Sequence, residues 1–129
     1  MAAGKLKKRA EFLAARKGRR LNGPFFFIEA LDRGDDGPPR VGLTVTRKVG
    51  NAVVRNRIRR RLREAIRLFG AAGMERGLDY VVVARREVYD VPFDVLSDEI
   101  SRRILRTRKP EPDLAGMKRR PKERRSGSD

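Results

Sequence analysis

The segment VVRNRIRRRLRE, residues 53–64, combines six arginines with an apolar residue at every fourth position. On a helix of about 100° per residue, one apolar stripe forms around Ile58 and takes in Val54, Leu62, Ala65, Ile66 and Phe69. The opposite side carries Asn56, Arg60, Arg63 and Arg67, with Arg57 and Arg59 at its flanks. Guanidinium groups bind phosphate oxygens through paired hydrogen bonds. The segment is therefore predicted to dock by its stripe and to present a phosphate-binding face outward.

Two other interpretations of this segment are open at this point. A run of charge is commonly no more than a solvated helix face, but such faces usually mix signs, and Glu64 is the one acid among these twelve residues. A basic amphipathic helix can also lie on an anionic membrane. Here the apolar side lacks tryptophan and is needed for a core. A nucleic acid explains the pattern better than either alternative.

The composition of the whole chain narrows the chemistry further. The 129 residues carry a net charge of +16 and include neither cysteine nor histidine, which excludes disulfides, thiolate nucleophiles and imidazole catalysis. The segments 1–20 and 47–67 hold nearly all of the excess charge, so a localised surface for a polyanion is expected. The basic N-terminal stretch lacks the apolar run of a signal peptide, and no stretch reaches the length needed to span a bilayer. A cytoplasmic protein is expected.

The elements that must position these groups follow from hydrophobic periodicity. Helices are predicted over residues 5–17 and 92–106, and strands over 24–31, 41–46 and 79–85. Together with the arginine helix, the order is helix-strand-strand-helix-strand-helix in one domain over residues 1–106. Residues 107–129 combine Pro, Gly, Ser and charge, and are predicted to form a disordered basic tail.

Alternation along two of the strands assigns side chains to faces. One face is predicted to carry Phe25, Phe27 and Glu29, and the matching face of the next strand to carry Gly42, Thr44 and Thr46. Phe26 is predicted to be a core residue, whereas Phe12, Phe25 and Phe27 are as compatible with core packing as with ligand binding. Asn51 fits an N-cap of the arginine helix as well as it fits a nucleic-acid contact.

The stretch KVGNAVVRNRIRRRLRE, residues 48–64, resembles the arginine-asparagine-arginine signature of the bacterial ribonuclease P protein component. The resemblance covers residues 5–106, since the basic first helix and the strands at 41–46 and 79–85 occur in the family's order. It implies an α+β fold, namely a two-layer α/β sandwich of the ribosomal protein S5 domain 2-like type. In that fold the arginine helix joins two parallel strands by a left-handed βαβ crossover, an exception to the usual right-handed rule.

The resemblance also implies a function, which is to assist a catalytic RNA that uses Mg²⁺ to remove the 5′ leader of precursor tRNA. The chain itself is then expected to supply no catalytic residue and no metal ligand, and to bind no membrane and no small-molecule substrate. By position, the residues implied to bind the RNA subunit are Lys48, Asn51, Arg55, Asn56, Arg57, Arg59, Arg60, Arg63 and Arg67. The implied leader-binding cleft lies between the first helix and the open face of the sheet, and its residues are Phe12, Phe25, Phe27, Thr44, Thr46 and Arg47.

The sequence departs from the family pattern in the cleft. Ala15 and Arg16 stand where many relatives have a second aromatic residue, Glu29 falls where relatives can present one, and Thr46-Arg47 replaces the common Ser-Lys. Fewer stacking partners for leader bases are therefore expected.

Two other functions remain as alternatives to the ribonuclease P role. One is a general RNA-binding structural protein of a ribosomal type, and the other is a metal-dependent nuclease that acts alone. The acidic pairs Asp35-Asp36 and Asp98-Glu99 are better explained by solvation or capping than by a metal site.

Overall fold

The computed structural model describes residues 4–107, which form one mixed sheet and three helices. The strands are β1 (Gly4–Lys5), β2 (Arg19–Asn22), β3 (Phe26–Asp32), β4 (Arg40–Thr44) and β5 (Leu78–Ala84). The helices are α1 (Arg9–Ala15), α2 (Ala52–Ala65) and α3 (Phe93–Arg106). The predicted α+β architecture is confirmed, with two strands more than the sequence indicated.

The sheet has the strand order β1-β4-β5-β3-β2. β4 runs parallel to β1 and β5, while β3 runs antiparallel to β5 and β2. The arginine helix α2 thus connects two parallel neighbours, β4 and β5, as the resemblance implied. The left-handed sense of this crossover stays a prediction.

The main core lies between one face of the sheet and the helices α2 and α3. Side chains buried there include Ile58 and Leu62 of α2, Ile100 and Ile104 of α3, and Phe26, Ile28, Tyr80 and Val82 of the sheet. Phe26 is fully buried, as predicted. β5 is buried along almost its whole length because α1 covers part of its other face, where Leu6, Ala15 and Val81 form a second, smaller cluster.

The first helix is shorter than predicted. Residues 5–17 were expected to be helical, but α1 spans Arg9–Ala15 and Gly4–Lys5 pair with β4 instead. The Glu11 carboxylate accepts hydrogen bonds from the backbone N–H groups of Lys7 and Lys8, each at 2.9 Å, and so sets the start of the helix. Leu6 lies before that start, and its backbone N–H donates to Val41 O of β4 at 3.0 Å.

The apolar stripe of α2 ends one turn earlier than predicted. Ile58, Leu62, Ala65 and Ile66 are buried, but the chain continues from Ile66 to Gly70 as a π-helical turn. A π-turn contains more residues per turn than an α-helix, so counting 100° per residue fails there. Phe69 is consequently half exposed, with its ring edge-to-face to Phe93 at 6.4 Å between centroids.

The C-terminal boundary of the folded part lies at least one residue beyond the predicted one. Thr107 was assigned to the tail, but it is buried and its hydroxyl donates to Ile104 O at 2.6 Å. This short-range bond lets a polar side chain end α3 inside the fold. The rest of the predicted tail, residues 108–129, lies outside the described residues.

Candidate nucleic-acid interface

The outer face of α2 is positioned by a cap and by its buried stripe. The Asn51 side chain accepts a hydrogen bond from the Val54 backbone N–H at 3.0 Å, so the capping interpretation of Asn51 is confirmed. Ile58 and Leu62 are fully buried and fix the rotation of the helix about its axis. Asn56, Arg60 and Arg63 therefore point into solvent on the opposite side, as the sequence predicted.

Several arginines of α2 are engaged within the protein. Arg55 donates to Gly50 O at 2.9 Å, and Arg57 donates to Tyr89 O at 2.9 Å with its guanidinium carbon 5.1 Å from the Tyr89 ring centroid. Arg59 donates to Asn56 Oδ1 at 3.2 Å. These contacts leave Arg55 and Arg57 less free than the sequence suggested.

Arg61 has a structural position rather than an outward one. It donates to Val88 O at 2.6 Å and also to Val91 O, in the segment between β5 and α3. Burial, together with the neighbouring charge of Arg57, lowers the pKa of the Arg61 guanidinium. Arg61 thus ties the arginine helix to the segment between β5 and α3.

The remaining cations of this face differ in their partners. Arg67 forms an exposed ion pair with Glu64 at 2.7 Å, and the hydrogen bond from Arg67 lowers the pKa of that carboxyl. Within residues 4–107, the side chains of Arg60 and Arg63 make no hydrogen bond or ion pair. Lys48 and Arg47 are exposed in a 3-10 turn over Arg47–Val49, just before α2. Arg60 and Arg63 are therefore the cations of α2 best placed to bind phosphate.

The opposite face of the sheet carries the second group of predicted residues. Strand register places Phe27, Val83 and Thr44 in one row across β3, β5 and β4. The next row contains Glu29, Val81 and Gly42. Because neighbouring positions in a strand alternate between faces, both rows lie opposite the main core. We call these two rows, with Phe12 of α1, the open sheet face.

Phe27 is covered by two arginines that the sequence did not reveal. The guanidinium carbon of Arg20 lies 3.7 Å from the Phe27 ring centroid, and that of Arg85 lies 5.9 Å away. Arg20 stands on β2, where Asn22 is paired with Phe27. The register between β2 and β3 brings Arg20 to the ring, and Arg85, directly after β5, is placed by a backbone hydrogen bond from its N–H to Phe25 O at 2.9 Å. The face thus combines an aromatic ring with two cations.

Phe12 lies against the sheet beside Gly42. A β-carbon at position 42 would come within 2.5 Å of Phe12 Cε1, so the ring in this position requires glycine there. α1 is held down by Arg40, which donates to Glu11 Oε2 at 3.0 Å and also pairs with the buried Asp79. Hydrogen bonds from the backbone N–H groups of Lys8 and Lys7 hold the pKa of Glu11 below its ordinary value. These contacts fix the distance of α1 from the sheet.

Three predicted cleft residues lie away from the open sheet face. Phe25 precedes β3, which begins at Phe26, and its side chain packs against the main core, so the expectation that it shares the face of Phe27 is wrong. Thr46 and Arg47 follow β4 and lie in the exposed connection to α2. For Phe25 and Thr46, the period-2 rule was extended beyond the strand ends, where it no longer applies, whereas Arg47 was included only because the family resemblance implied it.

No group of three carboxylates within residues 4–107 is arranged to hold a metal ion. Over the same residues, the helices are too short or too polar to cross a bilayer.

Comparison with known proteins identifies the family to which this chain is similar. The model of the family described as Ribonuclease P matches residues 2–108. The ribonuclease P protein component of Brucella suis is 46% identical, in an alignment that covers 84% of this chain and 90% of the relative. The ribonuclease P protein component of Bartonella quintana is 50% identical, in an alignment that covers 78% of this chain and 80% of the relative. The solved structure of the RNase P protein from Thermotoga maritima superposes with a TM-score of 0.68 at 27% identity, covering 79% of this chain and 96% of that one.

Proposed function

The chain belongs to the ribonuclease P protein component family, and from this premise we propose that α2 binds the catalytic RNA while the open sheet face holds the 5′ leader of precursor tRNA. The chain is the protein subunit of a ribonucleoprotein endoribonuclease that processes the 5′ end of tRNA, and its family partner is the RNase P RNA. This proposal rests on one observation: the unpaired side chains of Arg60 and Arg63 lie on the outer face of α2, whereas Phe27 lies on the open sheet face.

In this proposal the RNA subunit, using Mg²⁺, cleaves the phosphodiester bond in the cytoplasm, and the chain contributes binding and orientation. Arg60 and Arg63 neutralise phosphates of the RNA subunit, helped by Lys48 and Asn56. Asn51 lies one residue before the helix and Arg59 on its flank, where both border the same surface. Arg55 and Arg57 contribute through the contacts that hold α2 in place, and Arg67 would exchange Glu64 for a phosphate.

The open sheet face suits an unpaired strand better than a duplex. Aromatic rings accept any base by stacking, and nearby cations neutralise the backbone. Arg20 now covers the ring of Phe27. We propose that an incoming leader base takes that place and that Arg20 moves to the adjacent phosphate. Thr44 in the same row and Phe12 of α1 complete this surface, whereas Arg47, in the turn before α2, would bind the RNA subunit.

The outward arginines give the first test of RNA-subunit binding. Arg60→Ala and Arg63→Ala are each expected to weaken that binding and to reduce the slope of log K against log salt by about 0.7 to 0.9 per lost phosphate contact. Filter binding at several salt concentrations measures both quantities. Arg102→Ala is the control, since Arg102 is an exposed arginine on α3 and does not belong to the outer face of α2. Unchanged slopes for the Arg60 and Arg63 variants, with an intact fold, would remove both residues from the phosphate contacts.

Leader binding is tested by comparing two forms of tRNA. Phe27→Ala is expected to lower the holoenzyme's affinity for precursor tRNA about 5- to 100-fold, since stacking on one base is worth about 1 to 3 kcal/mol. Affinity for mature tRNA, which lacks the leader, should hardly change. Phe69→Ala is the matched control because its ring is half exposed on the other side of the sheet. Equal weakening of both tRNA forms would show that Phe27 acts only through the fold.

A further inference from the structure

A groove runs along the outer edge of β4, and four residues already predicted to bind RNA, namely Phe12, Arg59, Arg63 and Arg67, lie at its walls. Its volume is about 630 Å³, within the roughly 300 to 1,000 Å³ typical of ligand pockets. The apolar lining comes from Leu6, Phe12, Val41, Gly42, Leu43, Ile66, Ala71 and Ala72. Four cationic side chains also line it, namely Lys5, Arg59, Arg63 and Arg67.

The edge of β4 inside this groove is not covered by a strand. β1 pairs only with Arg40 and Val41, and the last backbone bond on that side runs from Leu6 N–H to Val41 O. Hydrogen-bonding groups alternate in direction along a strand, so those of Leu43 point to the same side as those of Val41. Within the described residues no backbone group bonds to Leu43 there. The groove therefore offers one N–H and one C=O above an apolar floor.

These features match the chemistry of a single unpaired nucleotide. A base is flat and apolar on its faces but has donors and acceptors on its edge, and its backbone phosphates are anionic. The groove provides apolar walls, the backbone groups of Leu43 for the base edge, and arginines for the flanking phosphates. A base-paired duplex has no free base to insert. An extended peptide would suit the strand edge, but four cations at the walls favour an anionic chain.

We infer that this groove binds an unpaired nucleotide of the RNA subunit, with its base inserted between Leu43 and the turn at Ala71 and Ala72. The inference rests on the proposed function and adds a site for reading a base to a surface otherwise assigned to phosphates. The RNA subunit is the source because three of the four cations, Arg59, Arg63 and Arg67, belong to α2 or its extension. The groove meets the open sheet face at Phe12 and Gly42, which belong to both, whereas Phe27 and Thr44 of the open sheet face do not line the groove.

Filling the groove without changing any charge tests the inference. Ala72 is exposed, so Ala72→Trp should keep the fold, which a thermal melt verifies, and Ala72→Met is a smaller second variant. Loss of one stacked base should weaken binding of the RNA subunit about 5- to 100-fold for Ala72→Trp and less for Ala72→Met. The salt slope should stay unchanged because no cation is lost. Val95→Trp, at an exposed position of α3, is the control and should bind normally.

Chemical probing of base edges in the RNA subunit identifies the occupant. Wild-type protein should protect at least one unpaired base, and Ala72→Trp should remove that protection while backbone protections along α2 persist. Undiminished affinity and identical base protection in Ala72→Trp would overturn the inference, as would protection that appears only on the leader of added precursor tRNA. These failures leave the proposed function standing, since that function fails only if wild-type protein does not bind the RNA subunit or discriminate precursor from mature tRNA.

Discussion

Replacing Asp79 with alanine is expected to destabilise the protein by about 3 kcal/mol, because it leaves two arginines without their buried counter-charge. Asp79 accepts hydrogen bonds from Arg33 at 2.7 Å and from Arg40 at 2.7 and 2.8 Å, and its side chain is only 3% exposed. Removing one partner of a buried ion pair costs about 3 to 5 kcal/mol. The lower end applies here because the Arg40 side chain is one-third exposed and regains some water. Urea denaturation measures the difference.

A second aspartate provides the control for this substitution. Asp36 is 97% exposed and its carboxylate lies 3.7 Å from Arg76, so Asp36→Ala should change the free energy of unfolding by less than about 0.5 kcal/mol. Equal changes in the free energy of unfolding for the two substitutions would show that the buried ion pairs of Asp79 do not stabilise the protein more than an exposed aspartate does. Since Arg40 also binds Glu11 of α1, Asp79→Ala should in addition loosen α1 and so weaken the leader binding that we propose for the open sheet face.

The parts of the fold that were predicted correctly are those with a strong local period. The rotation of α2 followed from its apolar stripe because Ile58 and Leu62 repeat at helical spacing and are fully buried. Alternation along β4 correctly predicted which of its side chains point to the core. Val41 and Leu43 pack on the main core, and Gly42 lies beneath Phe12 on the other face. In both elements a single buried face decides the pattern, so sequence order is sufficient.

The strands that were missed carry no such pattern. β1 has two exposed residues, and β2 reads Arg-Arg-Leu-Asn with three of its four residues exposed. Their existence depends on hydrogen bonds to β4 and β3, which lie far from them in the chain or beyond a turn. Edge strands of this kind bury almost no side chain, so hydrophobic periodicity cannot detect them.

The candidate site was predicted in outline but not in its contacts. Outward residues of α2 were identified from the helix period, yet the bonds of Arg57 to Tyr89 O and of Arg61 to Val88 O join residues about 30 positions apart. The position of Arg20 over Phe27 likewise depends on strand register. Sequence period shows which side a residue faces, whereas partners across the fold require the structure.

The apolar stripe of α2 should be the most sensitive part of the protein to a charged substitution. Ile58→Asp removes an aliphatic side chain worth about 1.5 to 3 kcal/mol of burial and places an unpaired carboxylate in the core, at a further cost of several kcal/mol. The sum is comparable with the whole stability of a small domain, about 5 to 15 kcal/mol. We expect the variant to be largely unfolded at 25 °C, as far-ultraviolet circular dichroism and a lost thermal transition would show.

Val53→Asp separates this effect from the introduction of a negative charge into α2. Val53 is 73% exposed and lies in the first turn of the helix, where a carboxylate faces the unpaired backbone N–H groups and several arginines. This variant should keep the wild-type melting temperature or exceed it slightly, even if its RNA affinity falls. A folded Ile58→Asp protein with an unchanged melting temperature would mean that the stripe does not dock α2 on the sheet. The outward direction of Arg60 and Arg63 would then lose its structural cause, and with it the assignment of α2 as the surface that binds the RNA subunit.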